Sequence, residues 1–325
     1  MHAWLCEQPT GIDAVHWKEL PTPEPGPGQV RVAIKAASLN FPDLLIVQGK
    51  YQIKPEPPFV PGSEYSGVIE AVGPEVRGLQ PGMRVLAIGS GGGFGTHAVV
   101  EATRVQPLPE SFPFEDGAAF AFTYGTSYHA LIDRAALKAG ETVFVLGAAG
   151  GVGSAAVQIA RAAGARVIAG VSSQAKCELC LKLGADAAIN YASENLREAL
   201  KRHTGGTGPD VVYDPVGGDL AEPSLRSIAW RGRYLVVGFA QGSIPTLPLN
   251  LVLLKGSSLV GVFLGEFVRR EPAAAAKQMQ ALAQWYAQGL VKPVIDQVLP
   301  MSRLHDAYAR MASRQALGKI VLVNA

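Results

Sequence analysis

A chain of 325 residues that is 48% hydrophobic and 17% charged has apolar material for two packed cores and is far from a disordered composition. Its formal net charge of +2 is spread without a basic run, which removes the electrostatic case for nucleic acid. Three cysteines (Cys6, Cys177, Cys180) make no disulfide framework, and neither a secretory leader nor an apolar run of ~18 residues occurs, so a reduced, cytoplasmic setting is expected.

The first third of the chain reads as short strands between Pro/Gly turns. Gln29-Val-Arg-Val-Ala-Ile34, Ser66-Gly-Val-Ile-Glu-Ala-Val72 and Met83-Arg-Val-Leu-Ala-Ile88 are separated by Pro21–Gly28, Val60-Pro-Gly62 and Gln80-Pro-Gly82. This punctuation predicts a mainly β, partly open barrel. The glycine-richest segment, Gly89-Ser-Gly-Gly-Gly-Phe-Gly95, leads into the strand-like run Thr96–Val100. No helix N-terminus faces it, so it is rejected as a phosphate site.

Residues 142–153 carry most of the functional information. The apolar, β-branched run Thr142–Leu146 ends in a glycine turn that opens onto the helix-forming Ser154-Ala-Ala-Val-Gln-Ile-Ala. Strand, tight turn and helix N-terminus form a pyrophosphate site, because free N–H groups and the positive end of the helix dipole face the ligand. Ala148, Gly150, Gly151, Val152 and Gly153 make up that turn; Ala148 stands where the first glycine of G-x-G-x-x-G is usual. Strand-like runs Arg166–Val171, Ala187–Asn190, Asp210–Asp214 and Tyr234–Gly238 alternate with helical segments, which predicts a doubly wound parallel sheet.

The second of these strands has no Asp or Glu at its end, where an NAD site holds the ribose 2′-hydroxyl. It ends Ser172-Ser-Gln-Ala-Lys176, and these hydroxyls and this cation suit a 2′-phosphate; Tyr191, after the third strand, adds a phenolic donor. NADPH is therefore expected. Cys177 and Cys180 lie inside the following helix, and their spacing of three puts both on its sheet-facing side as core residues. The last stretch, helix Leu304–Ala312 and strand Gly318–Val323, is expected to return to the β domain. The boundaries are then 1–122 with 268–325, and 123–267 as the inserted nucleotide unit.

Together these segments resemble, end to end, a zinc-free quinone oxidoreductase of the medium-chain dehydrogenase/reductase superfamily, related to zeta-crystallin. The resemblance rests on Asn40-x-x-Asp43 with Gly49-Lys-Tyr51, Pro61-Gly-Ser-Glu-Tyr-Ser-Gly67, Tyr124-Gly-Thr-Ser-Tyr-His-Ala130 and the glycine turn. Asp214-Pro-Val-Gly-Gly-Asp219, Gly238-Phe-Ala-x-Gly242 and Gly318-Lys-Ile-Val complete it. It implies an α/β fold, a doubly wound parallel Rossmann sheet inserted in a mainly β, GroES-like, partly open barrel. It also implies that Asn40 and Tyr51 lie near the nicotinamide and the substrate, as donors to a developing oxyanion. Thr126 would bond the cofactor near its nicotinamide half, Gly238, Phe239, Ala240, Phe263, Leu264 and Gly265 would line the nicotinamide pocket, and Arg314 would reach the phosphates.

Zinc-dependent alcohol dehydrogenases, relatives in the same superfamily, take a metal through a Cys and a His in regions that here read Ser38-Leu-Asn40 and Gly62-Ser-Glu64. Both soft ligands are missing, so metal-free hydride transfer to a conjugated acceptor is expected and Glu64 is structural. His129, with Asp133 at helical spacing, is also read as structural. The main reading is NADPH:quinone oxidoreduction. Reduction of the C=C bond of an α,β-unsaturated ketone or acyl thioester needs the same residues, and a non-catalytic NADPH-binding role is the reading from another class. A homodimer is expected from the resemblance and from the edge-strand character of Leu259–Phe263.

Overall fold

In the computed structural model, which describes residues 1–324, the N-terminal part forms β1 (His2–Cys6), β2 (Val15–Glu19), β3 (Gln29–Ser38), β4 (Glu64–Val72), β5 (Arg84–Ile88), β6 (His97–Glu101) and β7 (Val105–Pro107). The middle forms β8 (Thr142–Leu146), β9 (Arg166–Val171), β10 (Ala187–Asn190), β11 (Val211–Asp214), β12 (Arg233–Val236) and β13 (Ser258–Gly261), and the chain ends through β14 (Ile295–Pro300) and β15 (Lys319–Val323). Contacts divide it into two units, Met1–Phe122 with the segment from Pro293 onward, and Thr123–Lys292.

The first unit is GroES-like. Its sheet runs β14-β15-β3-β4-β5-β7, with β6 also on β3, and all pairs but β14–β15 are antiparallel. Alternation drives β3: Val30, Val32 and Ile34 point into a core with Trp4, Leu39, Tyr65, Ile69, Phe94, Tyr308 and Leu322, while Arg31 and Lys35 face outward. The strand continues past the expected Ile34 to Ser38. Alternation stops there because helix Phe114–Ala118 covers the other face, where Ala36, Ala118, Ala119 and Val321 pack together.

The second unit is the Rossmann-like unit, a six-stranded parallel sheet ordered β10-β9-β8-β11-β12-β13. Relabelled from its first strand this is 3-2-1-4-5-6, the doubly wound order, and the direction of winding reverses between β8 and β11. Phe144, Ile168, Ile189, Val212 and Tyr234 fill its interior with Leu196, Leu200 and Leu225 from the helices.

Residues 268–292, expected with the first unit, fold with the second. Helix Pro272–Ala287 is the reason: Gln278 Nε2 donates to the Gly125 carbonyl at 2.8 Å, and Trp285 packs on Tyr128 with centroids 5.5 Å apart. No helix among the described residues is long and apolar enough to cross a membrane.

Candidate active site

The glycine turn follows β8, beside the point where the sheet reverses, which is where a doubly wound fold binds its ligand. Helix Gly151–Ala162 starts after Gly150 with no side-chain cap. The N–H groups of Gly151, Val152 and Gly153 lie in its first turn, beyond reach of any carbonyl four residues back within the helix. A β-carbon on Gly153 would fall 2.1 Å from the Gly147 carbonyl oxygen, so helix and strand meet backbone to backbone. Ser127 Oγ donates to the Val152 carbonyl at 2.8 Å and itself lies 2.9 Å from Tyr213 Oη, which fixes the turn from beneath. This cradle fits a dinucleotide pyrophosphate. Gly89–Gly95 does not: Gly92, Gly93 and Phe94 donate to the carbonyls of Val60, Gly62 and Pro61 at 2.8–3.0 Å, which spends their N–H groups.

Past β9, Lys176 Nζ lies 3.2 Å from Ser172 Oγ, so a cation and a hydroxyl converge at the strand end. Ser173 is used differently: its hydroxyl caps helix Gln174–Lys182 by accepting from the Lys176 N–H at 3.4 Å. Tyr191 packs half-buried against the core of the unit.

Two loops are stitched together at the ends of β11 and β12. Asp214 Oδ1 accepts from the Val216 and Gly217 N–H groups at 2.8 Å each, and Oδ2 accepts from Tyr234 Oη at 2.5 Å. Gly238 N–H donates to the Asp214 carbonyl at 3.3 Å and Ala240 N–H to the Pro215 carbonyl at 3.0 Å, with Phe239 against Gly217. Asp214 thus holds the Gly238–Ala240 turn that the resemblance assigns to the nicotinamide. Phe263 precedes helix Leu264–Arg270, whose first turn holds Leu264 and Gly265; Leu264 packs over Gly125, next to the buried Thr126.

In the first unit, strand register brings together a polar cluster that sequence distance conceals. Ser38 pairs with Glu64 on one side and with Val321 on the other. Two residues further along β3 comes Asn40, and two residues back along β15 comes Lys319, on the same side of the ladder. Lys319 is 5% exposed, Asn40 4% and Glu64 1%. Lys319 Nζ donates to Asn40 Oδ1 at 2.5 Å, to the Leu39 carbonyl at 3.0 Å and to Glu64 Oε2 at 3.3 Å. Glu64 Oε2 also accepts from Asn40 Nδ2 at 3.0 Å and Ser38 Oγ at 2.9 Å, and Oε1 accepts from the Phe122 N–H at 2.7 Å. Burial lowers the Lys319 ammonium from the ordinary lysine range, and Glu64 and Asp43 oppose that shift.

Asp43 completes the cluster. Its carboxylate accepts from the Asn40 N–H at 2.8 Å and from Ser63 Oγ at 3.1 Å, one half of the capping box that starts helix Phe41–Val47. Burial pushes the Asp43 carboxyl up to about 6. Tyr51 is half-buried, and burial together with the Asp43 charge raises its phenol, so it remains a donor at neutral pH. Arg314 lies exposed in the same unit, at a positive φ of 58° after helix Leu304–Ala312.

His129 stacks on Phe267 with centroids 4.1 Å apart, and its Nδ1 lies 2.8 Å from Asp133 Oδ2; burial lowers its basicity. It is a packed core histidine. Cys177 and Cys180 are buried and reduced, and burial pushes the Cys180 thiol up to about 12, which removes thiolate chemistry there.

A divalent metal fits this site poorly. Ser63 occupies a region where a soft ligand is needed, and Lys319 already places a fixed positive charge among Asn40, Glu64 and Asp43, where it would repel a second cation. Sequence reading missed Lys319 and Asp43 as site residues. A lysine opening a C-terminal strand carries no signal until its partner strand is known.

The chain matches two family models: an alcohol dehydrogenase GroES-like domain over residues 26–110 and a zinc-binding dehydrogenase over residues 151–284. It is 36% identical over 335 residues to the quinone oxidoreductase-like protein 2 of Rattus norvegicus, covering 98% of this chain and 96% of that one. The quinone oxidoreductase of Homo sapiens is 33% identical over 307 residues, covering 94% and 92%. Among solved structures, the quinone oxidoreductase of Thermus thermophilus, also determined as its NADPH complex, superposes over 100% of both chains with a TM-score of 0.87 at 34% identity.

Proposed function

The chain belongs to the quinone oxidoreductase family of the medium-chain dehydrogenase/reductase superfamily, and on that premise we propose that it is a zinc-independent NADPH:quinone oxidoreductase. The observation that carries the cofactor choice is the approach of Lys176 Nζ to Ser172 Oγ at the end of β9, where an NAD site would hold an acid. NADPH-bound structures of relatives support it. The helix N-terminus at Gly151–Gly153 would hold the pyrophosphate, Ser172 and Lys176 the 2′-phosphate, and the turn Gly238–Ala240 with Phe263–Gly265 the nicotinamide.

When bound, the cofactor supplies a hydride. The protein has to orient a conjugated acceptor and stabilise the oxyanion that hydride addition creates. In this proposal Asn40 and Tyr51 donate to that oxygen. Both are uncharged donors at neutral pH, and a quinone needs no stronger acid because its reduced form spreads the charge over an aromatic ring. Lys319 in the cluster supports the metal-free part of the reading. The proposal includes a homodimer: β13 is an edge strand, and Leu249 and Leu253 on the helix before it are 71% and 79% exposed.

Steady-state NADPH oxidation with small and polycyclic quinones, simple enones and an enoyl thioester tests the assignment. Turnover greatest on quinones is the expected result. Faster turnover on enones or the thioester would make the chain a C=C reductase, and tight NADPH binding without turnover on any acceptor would leave it a binding protein.

A further inference from the structure

Asn40 has two orientations of nearly equal shape, differing by a flip that exchanges Oδ1 and Nδ2. Its neighbours choose between them on chemical grounds. An ammonium only donates and an ionised carboxylate only accepts, so Oδ1 must face Lys319 and Nδ2 must face Glu64. Lys319 is itself held from two other sides, by the Leu39 carbonyl and by Glu64, in a pocket that leaves it 5% exposed. The amide nitrogen carries two N–H groups, of which Glu64 takes one. A cation pulling on the carbonyl end of an amide also polarises its N–H end, which makes the remaining N–H a stronger donor.

We propose that Lys319 is a positioning residue of the reaction: gripping Asn40 Oδ1, its ammonium locks the amide in one orientation and sharpens Nδ2 as the hydrogen-bond donor to the acceptor oxygen. An organic cation built into the last strand thereby does part of the work of a Lewis acid. This rests on the reading of Asn40 as donor to that oxygen. The mechanism uses Lys319 through Asn40 alone, so removing the lysine and removing the asparagine have to disable the same step.

A double-mutant cycle in the full chain tests this. Lys319→Met and Asn40→Leu are each expected to lower kcat on a quinone about 10- to 100-fold, the usual cost of losing a group that orients another. NADPH affinity, read from cofactor fluorescence, should stay within about twofold. The double variant should be no slower than the slower single variant. A Lys319→Met kcat within about twofold of wild type, or losses that multiply in the double variant, would overturn the proposal. Should Lys319→Met fail to fold by thermal melt, Lys319→Gln takes its place, because a neutral amide can still donate to Asn40 Oδ1 but no longer pulls on it as a cation. A readout independent of turnover is the Nδ2 proton pair of Asn40 in 15N-asparagine-labelled protein, assigned by its loss in Asn40→Leu. It should move in the lysine variant, and an unmoved pair would sink the inference even if wild type turns over no quinone. That last outcome in wild type would count against the quinone assignment alone.

Discussion

A β-carbon on Gly153 would stand 2.1 Å from the carbonyl oxygen of Gly147 and 2.8 Å from the α-carbon of Ala148. Backbone lies on the receiving side, so nothing flexible can yield. Gly153→Ala is expected to cost roughly 1–3 kcal/mol of stability by overpacking, read from the urea midpoint, and to abolish nucleotide binding. At Gly150 the same carbon would meet only the Gly147 oxygen at 3.3 Å. Gly150→Ala should therefore nearly preserve the midpoint while weakening NADPH binding, because the new methyl would stand where the proposed site takes the pyrophosphate. Equal stability losses at the two positions would count against this division of labour.

Lys176→Glu places a carboxylate beside Ser172, where the proposed site takes the 2′-phosphate of NADPH. A charge-assisted hydrogen bond contributes about 1.5–3 kcal/mol, so NADPH affinity should fall about 10- to 100-fold. NADH affinity, measured by the same titration, should change little. Parallel losses for both cofactors would make Lys176 a structural residue.

The Asp43 carboxyl is raised to about 6 by burial, above the ordinary Asp value near 4. Between roughly pH 4 and 6 the folded state then binds more protons than the unfolded state, so this group makes stability fall as pH rises through that window. Asp43→Asn cannot lose this proton. Its stability relative to wild type should improve between pH 4 and 6 by on the order of 2 kcal/mol and stay level above pH 6, even if the lost bond to the Asn40 N–H makes it less stable at every pH. A difference that stays flat from pH 4 to 7 would show that Asp43 titrates normally.

Much of the second unit was legible from sequence because its signals are local. The β-branched run before the glycine turn, the missing acid after Val171 and the spacing of Cys177 and Cys180 are each complete within a few residues, and the parallel pairing of the sheet follows from the βα alternation. The polar cluster of the first unit was not legible. Asn40 was singled out only through resemblance, and its partner Lys319 is 279 positions away, joined to it by the pairing of β15 with β3. Helix Pro272–Ala287 was placed in the wrong unit for a similar reason: what decides its side is the Gln278 bond to Gly125, a long-range contact with no sequence period.

Treatment with a strong zinc chelator, followed by gel filtration, should leave NADPH oxidation within about twofold of the untreated protein, since Lys319 fills the cationic role in the cluster. Activity that returned only on adding zinc would overturn the metal-free mechanism.

Leu253 is 79% exposed on the helix before the edge strand β13. If the proposed homodimer forms through this helix, Leu253→Asp should shift it toward half its mass in sedimentation at micromolar concentration, with little effect on the thermal melt of the monomer. An unchanged sedimentation coefficient would move the interface elsewhere.

The division of the first unit between the two ends of the chain has a consequence for biosynthesis. The second unit is one continuous segment, so it is complete once Lys292 has left the ribosome. At that moment β3 still lacks β15, and the small-residue stretch Ala36-Ala-Ser38 offers an open edge. Glu64 and Asp43 are then two carboxylates without their lysine. Synthesis of β15 closes the edge and delivers the cation in the same step, so a chain truncated before Lys319 would carry a folded nucleotide unit beside a sticky, half-built one.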